Sequence, residues 1–276
     1  DKVRRYTNLD QVVDRAQRWA EAVKRAVDEG RRIPSPPQIP KLNHGNPTGL
    51  YNGMIAPVVP FSVKGAIWYQ GESNVGEGMA YHDKMKALIS GWRDVFNNDD
   101  LSFYYVQIAP YRYNKGEALP GIWEAQTATL NVPGTGMAVI TDVGNVQDIH
   151  PRNKQDVGKR LALWALAKDY GKKGITFSGP LYKSMTVEGN KIRVSFNNTG
   201  SGLVSRDGNK LSDFMISGSD NKFLPANAVI EGQDVVVSAD AISSPKNVRF
   251  GWDELVNPNL SNKEGLPASP FKTDGL

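Results

Sequence analysis

One histidine of the chain, His150, stands in a polar stretch where its chemistry could be used. The stretch Asp142–Gly158 reads DVGNVQDIHPRNKQDVG, and it follows the apolar run Met137–Thr141. A histidine on a loop beyond the carboxyl end of a sheet strand is typical of sites in open α/β folds. Because its unperturbed pKa lies near neutrality, His150 could act as a general base toward a hydroxyl group. The alternative is a surface or structural histidine held by a local aspartate.

A second polar cluster, QGESN at Gln70–Asn74, follows the apolar run Val63–Tyr69. Gln70 could donate its side-chain amide to an oxyanion, and Gly71 permits close approach of the backbone to a ligand. Glu72 could hold a neighbouring loop by accepting backbone hydrogen bonds. The alternative is a polar turn at the end of a strand, closed by local side-chain hydrogen bonds.

Few other residues are of a type that could take part in catalysis or bind a metal. The remaining histidines, His44 and His82, lack the spacing to acidic residues that metal centres show. We expect His82 to face solvent from a helix and Tyr111 and Tyr113 to lie at the rim of the site. The absence of cysteine excludes disulfides, thiolate metal ligands and cysteine nucleophiles.

The apolar pattern predicts the elements that position these clusters. Short continuous apolar runs predict buried parallel strands, and repeats at i, i+3, i+4 and i+7 predict helices between them. Their alternation predicts a parallel, doubly wound α/β sheet with right-handed crossovers. The strands are predicted at Val63–Tyr69, Ser102–Ala109 and Met137–Thr141, and the helices around Leu9–Val27, Tyr81–Phe96, Pro120–Leu130 and Val157–Lys168.

The pattern changes near Gly179. Period-two alternation with turn signals predicts antiparallel strands, including a hairpin between Met185 and Phe196. We therefore predict an α/β body at residues 1–179 and an antiparallel β subdomain at 180–256. The Pro/Ser/Asn-rich residues 257–276 are predicted to be coil packed back on the body.

Composition narrows the class of protein. With 39% hydrophobic and 22% charged residues, the 276-residue chain is typical of soluble globular proteins. The 33 basic and 29 acidic residues give a formal charge of +4 without an aromatic-interleaved basic stripe, so we expect no nucleic-acid partner. No apolar run approaches the ~20 residues that span a bilayer. No apolar segment typical of a signal peptide follows Asp1–Arg5.

Four segments carry a family resemblance: PTGLYNGMIAP (Pro47–Pro57), KGAIWYQGESN (Lys64–Asn74), DIHPRNKQDVGKRLALWALAKDYG (Asp148–Gly171) and KEGLPASPF (Lys263–Phe271). They resemble the bacterial sialate O-acetylesterases, which belong to the wider SGNH/GDSL-type carbohydrate esterases. The resemblance implies an SGNH-hydrolase-like three-layer α/β/α sandwich with accessory β structure. It also implies a serine esterase that removes O-acetyl groups from sugars, notably sialic acids, without metal or cofactor, in the periplasm or outside the cell.

The resemblance assigns roles to the two clusters. His150 takes the place of the catalytic histidine. Gln70 lies in the segment whose polar side chain helps to form the oxyanion hole, with Gly71 and Glu72 as its fixed neighbours. An oxyanion hole of this kind stabilises the charge that develops on the ester carbonyl oxygen.

The identity of the acid that orients His150 stays open. Many relatives of this fold place it three residues before the histidine, where this chain has Gln147. Asp148, Asp142 or a backbone carbonyl could fill the role, and we favour Asp148. Such a partner fixes the tautomer and orientation of the imidazole.

The resemblance also implies a nucleophilic serine in a Gly-Gln-Ser-Asn or Gly-Asp-Ser segment near the first strand, and this chain contains no such segment. Ser73 belongs to a different family segment, so we do not expect it to be the nucleophile. Residues 1–179 are then the C-terminal part of an esterase domain. We expect the serine on an N-terminal portion, as a missing segment or a second chain, without which this chain is inactive.

A parallel sheet without its first strands would expose an edge and uncovered faces. We therefore expect the N-terminal portion to be needed for stability as well. Two alternatives remain. One is a non-catalytic carbohydrate-binding or structural fragment in which Met185–Trp252 binds glycans, and the other is an acetylxylan esterase of the same fold.

Overall fold

The structure, a computed structural model, describes residues 9–37 and 48–275. The backbone forms two compact units, Asp1–Ser62 and Val63–Leu276. His44 lies outside the described residues. Within the described part of the chain, no helix is both long enough and apolar enough to cross a membrane.

The first unit contains helix α1, Leu9–Asp28, and a short π-helical turn at Tyr51–Ile55. The helical repeat of apolar residues predicted α1 correctly. Gly30 adopts a left-handed conformation with φ of 62°, and the Arg31 N–H donates to the Ala26 carbonyl at 2.7 Å. This closing turn is one that glycine forms without steric strain, and it ends the helix.

The second unit begins with a parallel sheet of three strands. β1 and β3 both pair with β2 in parallel, in the order β1-β2-β3. A helix follows each strand, so the predicted alternation of strands and helices is confirmed. The strands are β1 (Gly65–Trp68), β2 (Ser102–Val106) and β3 (Thr135–Ala138), and the helices are α2 (Ala80–Phe96), α3 (Ala118–Ala128) and α4 (Lys154–Lys168).

Helices cover both faces of this sheet, because side chains along a strand point alternately to its two faces. Phe103 and Tyr105 of β2 pack in one cluster with side chains of α2 and α3. Tyr104 of β2 packs on the other face with Leu161 and Trp164 of α4. Burying a large side chain of this kind contributes about 1.5–3 kcal/mol each.

The two outer strands of the sheet differ in how their free edges are covered. Arg160 donates to the Val139 carbonyl at 2.8 Å and Trp164 donates to the Met137 carbonyl at 3.0 Å, so side chains of α4 cover the β3 edge. Among the described residues no strand pairs with the outer side of β1, and Ile67 is 72% exposed. The prediction of a buried strand at Val63–Tyr69 was therefore wrong about its burial.

The antiparallel strands follow α4. They form two four-stranded sheets, β4-β5-β10-β9 and β13-β11-β7-β8, and the pair β12-β6. The hairpin predicted between Met185 and Phe196 is confirmed as β4–β5. The strands are β4 (Leu181–Glu188), β5 (Lys191–Asn197), β6 (Leu203–Ser205), β7 (Phe214–Ser217), β8 (Leu224–Pro225), β9 (Asn227–Glu231), β10 (Asp234–Ser238), β11 (Asn247–Phe250), β12 (Leu260–Asn262) and β13 (Phe271–Lys272).

The last segment of the chain is more ordered than its composition suggests. The residues predicted as coil include β12 and β13, and much of the segment between them is buried. Ser269 accepts a hydrogen bond of 2.9 Å from Gln107, which follows β2. The predicted division of the chain at residues 179 and 256 itself stays a prediction.

Candidate active site

Three loops that follow the parallel strands meet at one edge of the sheet. Tyr69 follows β1, and the ammonium group of Lys154 lies 4.6 Å from the centre of its ring. Arg112, after β2, donates its backbone N–H to the Val146 carbonyl in the loop after β3, at 3.1 Å. These contacts bring the Gln70 cluster and the His150 loop to the same edge, as the parallel topology requires.

The backbone of the Gln70 cluster is held by its own turn and by α2. Tyr81 donates its hydroxyl to the Gln70 carbonyl at 2.8 Å. A Cβ atom on Gly71 would lie 3.0 Å from the Tyr81 hydroxyl oxygen and 3.1 Å from Ile108 Cγ2. Glu72 accepts the Gly71 N–H at 2.9 Å, at the start of the short 3₁₀ turn Glu72–Asn74. A side chain at this position would crowd Tyr81 and Ile108, and the predicted approach of the Gly71 backbone to a ligand stays a prediction.

The Gln70 side chain is half-buried and carries a hydrogen-bond donor at the sheet edge. Its amide nitrogen donates to Asn74 Oδ1 at 3.4 Å. A primary amide has two N–H groups, so one donor of Gln70 has no acceptor in the part of the chain that the structure describes. The predicted oxyanion role is compatible with this geometry.

Glu72 lies among three tyrosines. Burial, and then the Glu72 carboxylate, raise the pKa of Tyr69 to about 12 and contribute to a pKa of about 12 for Tyr81. Burial and Glu72 also raise the pKa of Tyr113. All three hydroxyls therefore stay protonated at neutral pH. The hydroxyl oxygens of Tyr69 and Tyr113 are buried without a hydrogen-bond partner among the described residues.

The loop after β2 is held by Glu254, a residue that sequence reasoning missed. The buried Glu254 carboxylate accepts the backbone N–H groups of Tyr113, Asn114 and Lys115 at 3.2, 2.8 and 3.4 Å. Holding a neighbouring loop was the role predicted for Glu72, whose carboxylate instead accepts from Gly71. The Tyr111 and Tyr113 rings on this loop lie 5.0 Å apart, edge to face.

His150 is exposed on its loop, with Asp148 beside it. Asp148 Oδ1 accepts the backbone N–H of His150 at 3.0 Å, and the Asp148 N–H donates to the Asn145 carbonyl at 2.9 Å. In the described residues the imidazole ring itself has no hydrogen-bond partner. The carboxylate is thus placed on the main chain of His150, and its action on the ring stays a prediction.

Asp142, the alternative orienting acid, forms a buried ion pair with Arg160. Its two carboxylate oxygens accept from the Arg160 guanidinium at 2.6 and 2.7 Å. The side chains are only 13% and 10% exposed. Removing one partner of such a buried pair leaves an uncompensated charge and costs about 3–5 kcal/mol. This pairing favours Asp148 over Asp142 for the role at His150.

A cavity of about 480 Å³ adjoins the His150 loop. Its volume lies in the range of about 300–1,000 Å³ that is usual for small-molecule sites. Within residues 9–37 and 48–275, no three His, Asp or Glu side chains form a group that could hold a metal ion. The cavity is lined by Val143, Asn145, Asp148, Pro151, Arg152 and Asn153.

His82 differs from its prediction. The side chain is half-buried, and Nδ1 lies 3.0 Å from the Thr129 hydroxyl oxygen. That hydroxyl donates to the Ala125 carbonyl at 2.8 Å, so it accepts from the protonated Nδ1 of His82. The prediction of a solvent-facing residue was wrong, because α3 and the turn after it pack beside α2.

In sequence and in fold, the chain is similar to carbohydrate esterases. Residues 38–166 match the family model described as carbohydrate esterase, sialic acid-specific acetylesterase. The solved structure of a carbohydrate acetylesterase from Xanthomonas citri superposes with a TM-score of 0.79 at 43% identity, covering 84% of this chain and 55% of that one.

Curated relatives agree with this match. The sialate O-acetylesterase of Homo sapiens is 30% identical over 250 residues, which cover 80% of this chain and 48% of the relative. The sialate O-acetylesterase of Rattus norvegicus is 31% identical over 226 residues, covering 74% and 42%. These matches confirm that the chain belongs to the sialate O-acetylesterase family. The chain spans about half the length of the curated relatives it matches.

Proposed function

We propose that this chain forms part of a serine-type carbohydrate O-acetylesterase that hydrolyses acetyl esters on sialic acids. The observation that carries the proposal is the meeting of the Gln70 cluster and the His150 loop at one sheet edge, through Lys154–Tyr69 and Arg112–Val146. A base and an oxyanion donor at one edge are two of the three groups that acyl transfer needs.

In the proposed mechanism a serine hydroxyl attacks the acetyl carbonyl while His150 takes its proton. Gln70 and backbone N–H groups stabilise the oxyanion of the tetrahedral intermediate. As the bond between the acetyl carbon and the sugar oxygen breaks, His150 gives its proton to that oxygen, which frees the sugar hydroxyl and leaves an acetyl-serine. Water, activated by His150, releases acetate, and Asp148 orients the imidazole throughout.

The serine is proposed to lie on an N-terminal portion outside these 276 residues. The open outer side of β1 and the 72% exposed Ile67 support this, because a parallel strand paired there would bury both. Strands of that portion would extend the sheet, whose two faces α2, α3 and α4 already cover, and would complete an SGNH-like three-layer α/β/α sandwich. The family resemblance supports a periplasmic or extracellular location.

The proposed substrate preference is tested by comparing acetate release from an O-acetylated sialic acid with acetate release from acetylated xylan. We expect the esterase assembled from this chain and its N-terminal portion to deacetylate O-acetylated N-acetylneuraminate at least about tenfold faster, in kcat/KM, than acetylated xylan. A tenfold difference corresponds to about 1.4 kcal/mol of transition-state binding. Preference for xylan would assign the chain to acetylxylan esterases, and glycan binding without any acetate release would favour the non-catalytic alternative.

A further inference from the structure

The amide of Gln70 ends a short chain of hydrogen bonds that begins at a surface ion pair. Lys84 on α2 donates to Glu77 Oε2 at 2.6 Å. The same oxygen accepts from Asn74 Nδ2 at 3.0 Å, and Asn74 Oδ1 accepts from Gln70 Nε2 at 3.4 Å. The four side chains form a continuous relay, Lys84–Glu77–Asn74–Gln70.

The direction of every bond in this relay follows from its charged end. An ammonium group only donates, and an ionised carboxylate only accepts. Asn74 must therefore turn its nitrogen toward Glu77, which leaves its oxygen facing Gln70. Gln70 must in turn offer nitrogen to Asn74, since two oxygens facing each other would repel.

The geometry points to a positioning role for Glu77, with Lys84 and Asn74: we propose that they set the amide orientation of Gln70 so that it presents N–H to the oxyanion. The inference rests on the oxyanion role of Gln70 in the proposed function. The reversed amide would present a carbonyl oxygen to a developing negative charge. Removal of one oxyanion donor typically lowers kcat by about 10²–10³, and the reversed amide adds repulsion to that loss.

Exchanging the two charged residues, Glu77→Lys with Lys84→Glu, tests the direction of the relay. The exchange keeps an ion pair and the net charge, but a donor now faces Asn74, so both amides should reverse. We expect kcat for acetyl ester hydrolysis to fall about 10²–10³-fold or more while KM stays within about twofold, because only transition-state stabilisation is lost. An ion pair with a merely structural role would be restored by the exchange, with kcat unchanged.

The matched control is the exchange Asp83→Lys with Lys86→Asp. This exposed pair, 3.5 Å apart on α2, makes no hydrogen bond or ion pair with the relay in the described residues, and its exchange should leave kcat unchanged. In a Gln70→Ala background the Glu77/Lys84 exchange should have no further effect, since residues that act through one another are not additive. An additive loss would overturn the positioning role.

A second readout uses the esterase assembled from this chain and its N-terminal portion, and it requires no catalytic activity. In side-chain amide ¹⁵N–¹H spectra, the Glu77/Lys84 exchange should shift the signals of both Gln70 and Asn74. The Asn74→Ala variant should shift the Gln70 signal. The control exchange should shift neither signal. An unmoved Gln70 signal would overturn the relay while the proposed function stands. Unchanged kcat in Gln70→Ala alone would instead remove the oxyanion role of Gln70, and the relay's function with it.

Discussion

Replacing His150 with alanine is expected to lower kcat for p-nitrophenyl acetate by about 10³-fold or more in the esterase that contains this chain. In the proposed mechanism the imidazole takes the serine proton, and general-base catalysis with nucleophile activation accounts for effects of this size. Because His150 is exposed and its ring has no hydrogen-bond partner in the described residues, the substitution should leave folding intact. Steady-state kinetics with a thermal-unfolding control make the measurement.

His82→Gln is the matched control for that substitution. His82 is bonded to Thr129 between helices and takes no part in the proposed chemistry. Glutamine retains a donor for Thr129, so kcat should stay within about twofold of the wild-type value. Turnover that survives in His150→Ala would remove His150 from the mechanism.

Replacing Gln70 with alanine is expected to lower kcat by about 10²–10³ and to change KM little. Its free N–H is the side-chain donor that the structure leaves at the sheet edge, and a donor to the oxyanion acts mainly in the transition state. Gln70→Glu should be at least as slow, since a carboxylate offers an acceptor in place of the donor.

The control for the Gln70 variants is Gln147→Ala, an exposed glutamine in the His150 loop. Among the described residues only its backbone N–H is bonded, to Asn145 Oδ1 at 2.9 Å, so we expect loss of the side chain to leave kcat unchanged. Equal kcat losses in Gln70→Ala and Gln147→Ala would indicate a nonspecific disturbance of the edge. A rise in KM alone would place Gln70 in ground-state binding.

The elements of the fold were predictable because their signals are local. The helical repeat marked α1 to within one residue of its C-terminal end, and the turn between β4 and β5 carries Gly189 with φ of 63°. The apolar run alone did not predict the exposure of Ile67, although the absence of the first strands predicted an exposed edge. An apolar run specifies a strand, but its burial depends on what pairs with its outer side.

In the candidate site, too, some features could be predicted from the sequence and others could not. Gln70 and His150 were predicted at one edge because parallel strands end at the same side of a sheet. Glu254 was missed because it reaches a loop about 140 residues earlier in the chain, and no sequence spacing links the two. The ion pair between Asp142 and Arg160 could not be predicted from the sequence either, since it depends on how α4 packs against β3.

We propose that this chain supplies the histidine and an oxyanion donor while the serine lies on an N-terminal portion. The most direct test is acetate release from O-acetylated N-acetylneuraminate by the 276-residue chain, measured with and without that portion. The chain alone should show no turnover, and addition of the N-terminal portion should restore it, with full loss when the nucleophilic serine of that portion is replaced by alanine. A monomeric, monodisperse 276-residue chain with full serine-dependent turnover on its own would contradict the proposal.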